Sequence, residues 1–135
     1  MKLDNPRLEV RYVDDPESLK VLIEALGSVA VIGLDAERAS GFRYSHRAYL
    51  IQIAIQDVAI YLVDPEGFEG DQWAKELGRA MAKTTWILHA ATQDLPCLAE
   101  LGIRPTSLID TELAARLAQW RAKLTASIAD EPVDE

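Results

Sequence analysis

The stretch Val29-Ala30-Val31-Ile32-Gly33-Leu34-Asp35-Ala36-Glu37 decides the fold class of this chain. Its first part is short and almost continuously apolar, which suits a strand covered on both faces in the middle of a sheet. It then breaks into Asp-Ala-Glu. On a strand, residues i and i+2 share a face. Asp35 and Glu37 are therefore expected side by side at the carboxyl end of the strand, where open α/β sheets tend to bind ligands. Two carboxylates that close repel one another unless a cation lies between them. Oxygen-only donors favour a hard divalent metal such as Mg²⁺ or Mn²⁺. Two carboxylates that simply leave the sheet for solvent fit the same triplet.

Outward from this strand, helical and extended patterns alternate. Upstream, Asp15-Pro16-Glu17-Ser18 reads as a helix start: Asp15 can cap free N–H groups and Pro16 suits the first helical position. Leu19, Leu22, Ile23 and Leu26 form one buried stripe, and Gly27 is a plausible stop. Downstream comes a basic, turn-like stretch from Arg38 to Arg47. Tyr49 to Ile55 and Val58 to Val63 are two β-rich runs, close enough together for a hairpin. Asp71 is expected to cap a second helix with Trp73, Leu77, Ala80 and Met81 on one face. Thr84 to His89 reads as another buried strand. Leu95, Leu98 and Leu101 belong to a third helix ended by Gly102. Pro96 is tolerable only near its first turn, which predicts a start close to Asp94. Ser107-Leu108-Ile109 is a short strand, and Asp110 caps a helix through Leu113, Leu117 and Leu124. Residues 125–135, ending in the acidic Asp130–Glu135, are expected to be a flexible, solvated tail. The order α-β-β-β-α-β-α-β-α predicts one α/β unit over residues 1–135, a mixed sheet with helices packed on it.

Composition narrows the chemistry. The 135 residues are 49% hydrophobic and 27% charged, as in an ordinary globular protein. No apolar run approaches the ~20 residues of a membrane-spanning helix, and Met1 to Pro6 hold no apolar signal region. The expectation is a cytoplasmic protein without membrane contact. A single cysteine, Cys97, excludes an internal disulfide and a zinc site built on several thiolates. There is no Gly-x-x-x-x-Gly-Lys loop and no nucleophile elbow. The net charge of −8 is poorly suited to holding nucleic acid by bulk electrostatics. Bound divalent cations would reverse the field locally.

Further candidates follow other strands. Asp94 comes after the strand at Thr84–His89. If that strand lies parallel to and beside the first, Asp94 reaches the same sheet end as Asp35 and Glu37. A first-turn carboxylate favoured by the helix dipole explains it equally. Asp110 also follows a strand, where a helix cap accounts for it. His89 stands at a strand end. Arg38-Ala39-Ser40-Gly41-Phe42-Arg43-Tyr44-Ser45-His46-Arg47 carries cations interleaved with aromatic rings and no acid. That combination suits a single-strand binding groove, and it suits an ordinary surface loop.

Together these segments resemble a known family. Leu34-Asp35-Ala36-Glu37, Tyr49-Leu50-Ile51-Gln52-Ile53-Ala54, Leu62-Val63-Asp64-Pro65, Leu88-His89-Ala90-Ala91-Thr92-Gln93-Asp94-Leu95 and Leu108-Ile109-Asp110-Thr111 occur in this order. They resemble the ribonuclease D branch of the DEDD 3′–5′ exonucleases, from about Tyr12 to Ala118. The resemblance implies a ribonuclease H-like fold: a mixed sheet of about five strands, the second antiparallel to the others. It implies two divalent cations, Mg²⁺ or Mn²⁺, one helping to generate a hydroxide nucleophile and the other steadying the leaving 3′ oxygen. On this likeness Asp35 bridges both ions, Glu37 binds one, and Asp94 holds the second directly or through water. These three are the catalytic and metal-binding residues it implies. Arg38, Arg43, Tyr44, Arg47, His89 and Gln93 are the expected nucleic-acid contacts. The implied substrate is a single-stranded 3′ end of tRNA-like or other RNA, with DNA as an alternative.

The likeness fades near Gln119. The family's third motif, with its fourth carboxylate and its tyrosine or histidine, lies downstream of the matched segments. The expectation is the N-terminal portion of an exonuclease domain, with activity impaired by the shortened chain. A non-catalytic nucleic-acid-binding or scaffold protein that keeps the fold is the alternative. An exposed apolar last helix would favour a homodimer through it.

Overall fold

A computed structural model describes residues 8–38, 49–89 and 91–129, with backbone alone at 37, 38, 49, 93, 128 and 129. Its elements are β1 (Glu9–Val13), α1 (Pro16–Leu26), β2 (Val31–Arg38), β3 (Tyr49–Ile55), β4 (Ala59–Val63), α2 (Gln72–Met81), β5 (Thr85–Leu88), α3 (Ala91–Glu100), β6 (Ser107–Asp110) and α4 (Thr111–Ala129). The strands form one mixed sheet in the order β1-β4-β3-β2-β5-β6. Only β3 runs against its neighbours: it pairs antiparallel with β2 and β4, while β1–β4, β2–β5 and β5–β6 are parallel. The antiparallel strand is the second of those expected from sequence.

The sheet has one strand more than expected. Local pattern hides β1 because it is an edge strand whose apolar side chains mostly point away from the core. Val13 is buried, whereas Val10 and Tyr12 are exposed. It is held by its parallel ladder to β4 and by Arg11, which pairs with Glu9 and donates to the Tyr61 hydroxyl at 3.2 Å. A 3₁₀ turn at Pro65–Gly67 passes so near the end of β1 that a Cβ at Gly67 would collide with the Asp14 backbone.

Alternation along β2 sorts the two faces. Ile32, Leu34 and Ala36 are buried, while Gly33 and Asp35 are partly accessible. The buried set continues across the ladder through Ile51, Ile53, Tyr61, Val63, Trp86 and Leu88. It forms one cluster with Leu19, Leu22 and Leu26 of α1 and Trp73, Leu77 and Met81 of α2. Asp15 caps α1 through a capping box with Ser18, and Gly27 ends it, both as expected. The hairpin β3–β4 turns through Gln56–Val58, with Asp57 at φ 62°, a left-handed conformation that Asp tolerates better than most residues.

Three local expectations are corrected. Asp71 precedes α2 but makes no cap hydrogen bond; its backbone, at φ −120° and ψ −2°, is not extended, and its carboxylate pairs with Lys75 at 3.5 Å. The third helix begins at Ala91, one turn before the start that Pro96 suggests. Residues 125–129 continue α4, because no breaker interrupts Thr125-Ala126-Ser127-Ile128-Ala129. The acidic end at 130–135 lies outside the described residues.

Leu113, Leu117, Trp120 and Leu124 of α4 are all exposed. No helix among the described residues is long and apolar enough to cross a membrane.

Candidate metal centre at the carboxyl edge of the sheet

β2, β5 and β6 are parallel and adjacent, so their carboxyl ends share one edge of the sheet. β2 extends through Arg38, and both acids of Asp35-Ala36-Glu37 are thus on the strand. Asp35 is half-buried on the face opposite the core, directly across the ladder from Gln52 of β3. Glu37 follows two residues on along β2, opposite Leu50 in the ladder. Gln52, a polar residue in a strand otherwise rich in Ile, Leu and Ala, is a neighbour of Asp35 that the sequence of either strand alone does not single out. The two-residue alternation of both strands carries that signal once the register is known.

The register Gly33↔Ile87 sets the height of the next elements. Two residues on, Asp35, still within β2, stands level with His89, just past the end of β5, and α3 starts at Ala91. Asp94 lies in the first turn of α3, only 8% exposed, and α3 packs on β2. The parallel neighbour relation anticipated for the strand before Asp94 therefore holds. Asp35, Glu37 and Asp94 come to one sheet edge from two segments far apart in sequence.

His89 is exposed, with Nδ1 3.1 Å from the Thr111 hydroxyl. That hydroxyl donates its one hydrogen to the Leu88 carbonyl at 3.2 Å. Toward the ring that hydroxyl can then serve only as an acceptor, from Nδ1–H. Asp110 closes the edge. Its Oδ1 accepts from the Glu112 and Leu113 amides at 2.9 and 3.2 Å, which confirms the cap of α4, and its Oδ2 accepts from the Ala91 amide at 2.9 Å.

Arg38 and Gln93 are at this edge by backbone position. Arg43, Tyr44 and Arg47 lie outside the described residues. Among the described residues no three of His, Cys, Asp and Glu group closely enough to hold an ion. Two of the three expected ligands, Asp35 and Asp94, have described side chains. Their chemistry, carboxylate oxygens with one group buried and one half-buried, fits hard divalent cations and not soft ones.

A 3′–5′ exonuclease family model matches residues 10–130. A ribonuclease D of Desulfotalea psychrophila is 33% identical over 109 residues, covering 78% of this chain and 28% of that protein. Among solved structures, a protein from Bifidobacterium adolescentis is similar with a TM-score of 0.65 and 34% identity, over 82% of this chain and 29% of that one. Escherichia coli RNase D, an exoribonuclease involved in structured RNA processing, is similar with a TM-score of 0.65 and 26% identity, over 80% of this chain and 28% of that one. The chain thus spans under a third of the length of these relatives.

Proposed function

The chain belongs to the 3′–5′ exonuclease family, and from that premise we propose that its carboxyl sheet edge is a metal-dependent site for removing nucleotides from the 3′ end of RNA. The arrival of Asp94 at the sheet edge that also carries Asp35 and Glu37 supports the reading, because three acids at one edge can serve as a donor set. Asp35, Glu37 and Asp94 would hold two divalent cations, Mg²⁺ or Mn²⁺. When bound, these supply Lewis-acid polarisation of a phosphodiester and acidification of an attacking water. The side chains hold and orient. Asp35 and Glu37 would offer two carboxylates from one strand, β2. Asp94 would offer a third from the first turn of α3. Arg38, Arg43, Tyr44, Arg47, His89 and Gln93 are the proposed contacts to the nucleic acid, with the cations on phosphates and the ring on a base.

Ribonuclease D-type relatives favour RNA with a free single-stranded 3′ end as the substrate class, with tRNA-like molecules as the finer proposal. End-labelled single-stranded RNA incubated with Mn²⁺ tests it, with Asp35→Ala alongside. A ladder shortening from the 3′ end in the wild type, lost in the variant and in chelator, supports the site. Identical ladders in both proteins, or cleavage without metal, rule it out. RNA binding without turnover in the wild type would mark the non-catalytic alternative. The same assay on DNA of equal sequence sets the preference.

A further inference from the structure

We infer that Asp110 is a positioning residue for Asp94, one carboxylate that ties the N-terminus of α3 to that of α4 and so fixes the turn from which Asp94 faces the metal site. The inference rests on the metal-site reading above.

An ordinary helix cap needs one oxygen. Asp110 uses Oδ1 for that task, accepting from Glu112 and Leu113 at the start of α4. Its second oxygen does something a cap of α4 does not require: Oδ2 accepts from the amide of Ala91, the first residue of α3, at 2.9 Å. The reach is possible because Leu88 and Asp110 are register partners on adjacent parallel strands, so β5 and β6 release their helices side by side. A negative charge shared by two helix N-termini is also favoured by both dipoles.

α3 needs such an anchor more than most helices. Pro96 is its sixth residue and has no N–H to give the Thr92 carbonyl, so the first turn lacks one of its own hydrogen bonds. Asp94 sits in that turn and is almost fully buried. A first turn weakened from within would let Asp94 drift, and a displacement of about 1 Å is enough to damage a preorganised site. Asp110 supplies from outside the restraint that Pro96 removes. The Thr111 hydroxyl, which bridges the Leu88 carbonyl and His89, adds a second tie across the same gap.

Two variants separate positioning from simple capping. Ser at position 110 still caps α4, since Ser ranks with Asp at this position, but is too short to bridge to Ala91. Asn keeps the shape and turns one of the two acceptors into a donor. We expect Asp110→Ser to raise amide exchange at Ala91, measured without metal, while α4 amides keep their protection. We expect its Mn²⁺ dissociation constant, measured by calorimetry, to rise about 10–100-fold, as for other groups that orient metal ligands. Asp110→Asn should show the same loss in Mn²⁺ affinity. Wild-type binding of Mn²⁺ with Asp110→Ser within twofold of it overturns the inference and leaves the metal site standing. Equal loss of protection in α3 and α4 overturns it too, because Asp110 would then serve only structure. Absence of Mn²⁺ binding in the wild type, with Asp35→Ala indistinguishable from it, overturns the metal site itself and this inference with it.

Discussion

Trp86 allows the energetics of the strand that leads to α3 to be tested directly. It is fully buried on β5, with Ile32 of β2 and Leu108 of β6 as its lateral neighbours, and its indole N–H donates to the Met81 carbonyl at 3.0 Å. That carbonyl also accepts from the Thr84 amide at 3.0 Å and the Thr84 hydroxyl at 2.7 Å. Trp86→Phe therefore removes one hydrogen bond and part of the ring but leaves no orphaned acceptor. The cost is that of a satisfied bond plus a modest void, about 1–2 kcal/mol. Trp86→Ala opens a ring-sized cavity in the middle of the sheet, where neighbours on both sides are fixed by ladders, and costs about 3–5 kcal/mol. With an unfolding entropy of about 0.28 kcal/mol/K for a chain of this length, the melting point falls about 4–7 °C for Phe and about 11–18 °C for Ala. Urea titration followed by far-ultraviolet circular dichroism reads both without relying on the fluorophore that is removed. Equal losses in the two variants would refute the reasoning, since the hydrogen bond and not burial would then be what Trp86 contributes.

The Asp15 carboxylate is held below its ordinary value, first by the Ser18 amide that it accepts, and by the Ser18 side chain. A depressed native value stabilises the fold above the unfolded value and loses that contribution as pH falls through the native one. Asp15→Asn keeps a good cap that does not titrate. The stability of wild type relative to Asp15→Asn should therefore be constant near neutrality and shrink as pH falls below about 4; a difference that grows with acid contradicts the assignment. On α4, Leu113, Leu117, Trp120 and Leu124 follow the alternating 4-3 spacing of a coiled-coil seam, flanked by Arg116, Arg121 and Lys123. A homodimer through this helix, the arrangement proposed from its exposed stripe, would bring like charges together. Sedimentation should show it tightening as salt rises and vanishing in Trp120→Glu, whereas a monomer at all salt concentrations excludes it.

The elements legible in the sequence are those whose cause is local. β2 announces itself through a continuous apolar run, and α1 through Asp15, Pro16 and Gly27. β1 is not legible because Val10 and Tyr12 face outward, so the strand has no core stripe to detect, and its partner β4 lies about fifty residues away. The start of α3 at Ala91 is not legible for a related reason. Pro96 gives a local signal for a late start, and the competing cause, the Asp110 carboxylate on the Ala91 amide, comes from a strand 19 residues further on. Asp71 misleads the other way: the residue type suits a cap, but its backbone does not adopt the extended conformation a cap side chain needs. For the site, Asp35 and Glu37 could be placed on one face from alternation alone. Bringing Asp94 to them required that β5 be the parallel neighbour of β2, which pattern could pose only as a condition.

Electrostatics ties that geometry to the proposed chemistry. A chain of charge −8 and a polyanionic strand repel one another at long range. At physiological ionic strength the repulsion is screened beyond about 8 Å, so the outcome is decided within the first layer of contacts. Three carboxylates at one sheet edge would make that layer worse for RNA if they stayed unneutralised. With dications bound, the same three become the reason a phosphate settles there. On the proposed reading, bound dications make these acids compatible with a nucleic-acid substrate, alongside the proposed arginine contacts. On this proposal dication binding should govern RNA affinity as well as turnover at this edge, with Asp110 positioning the turn that carries Asp94.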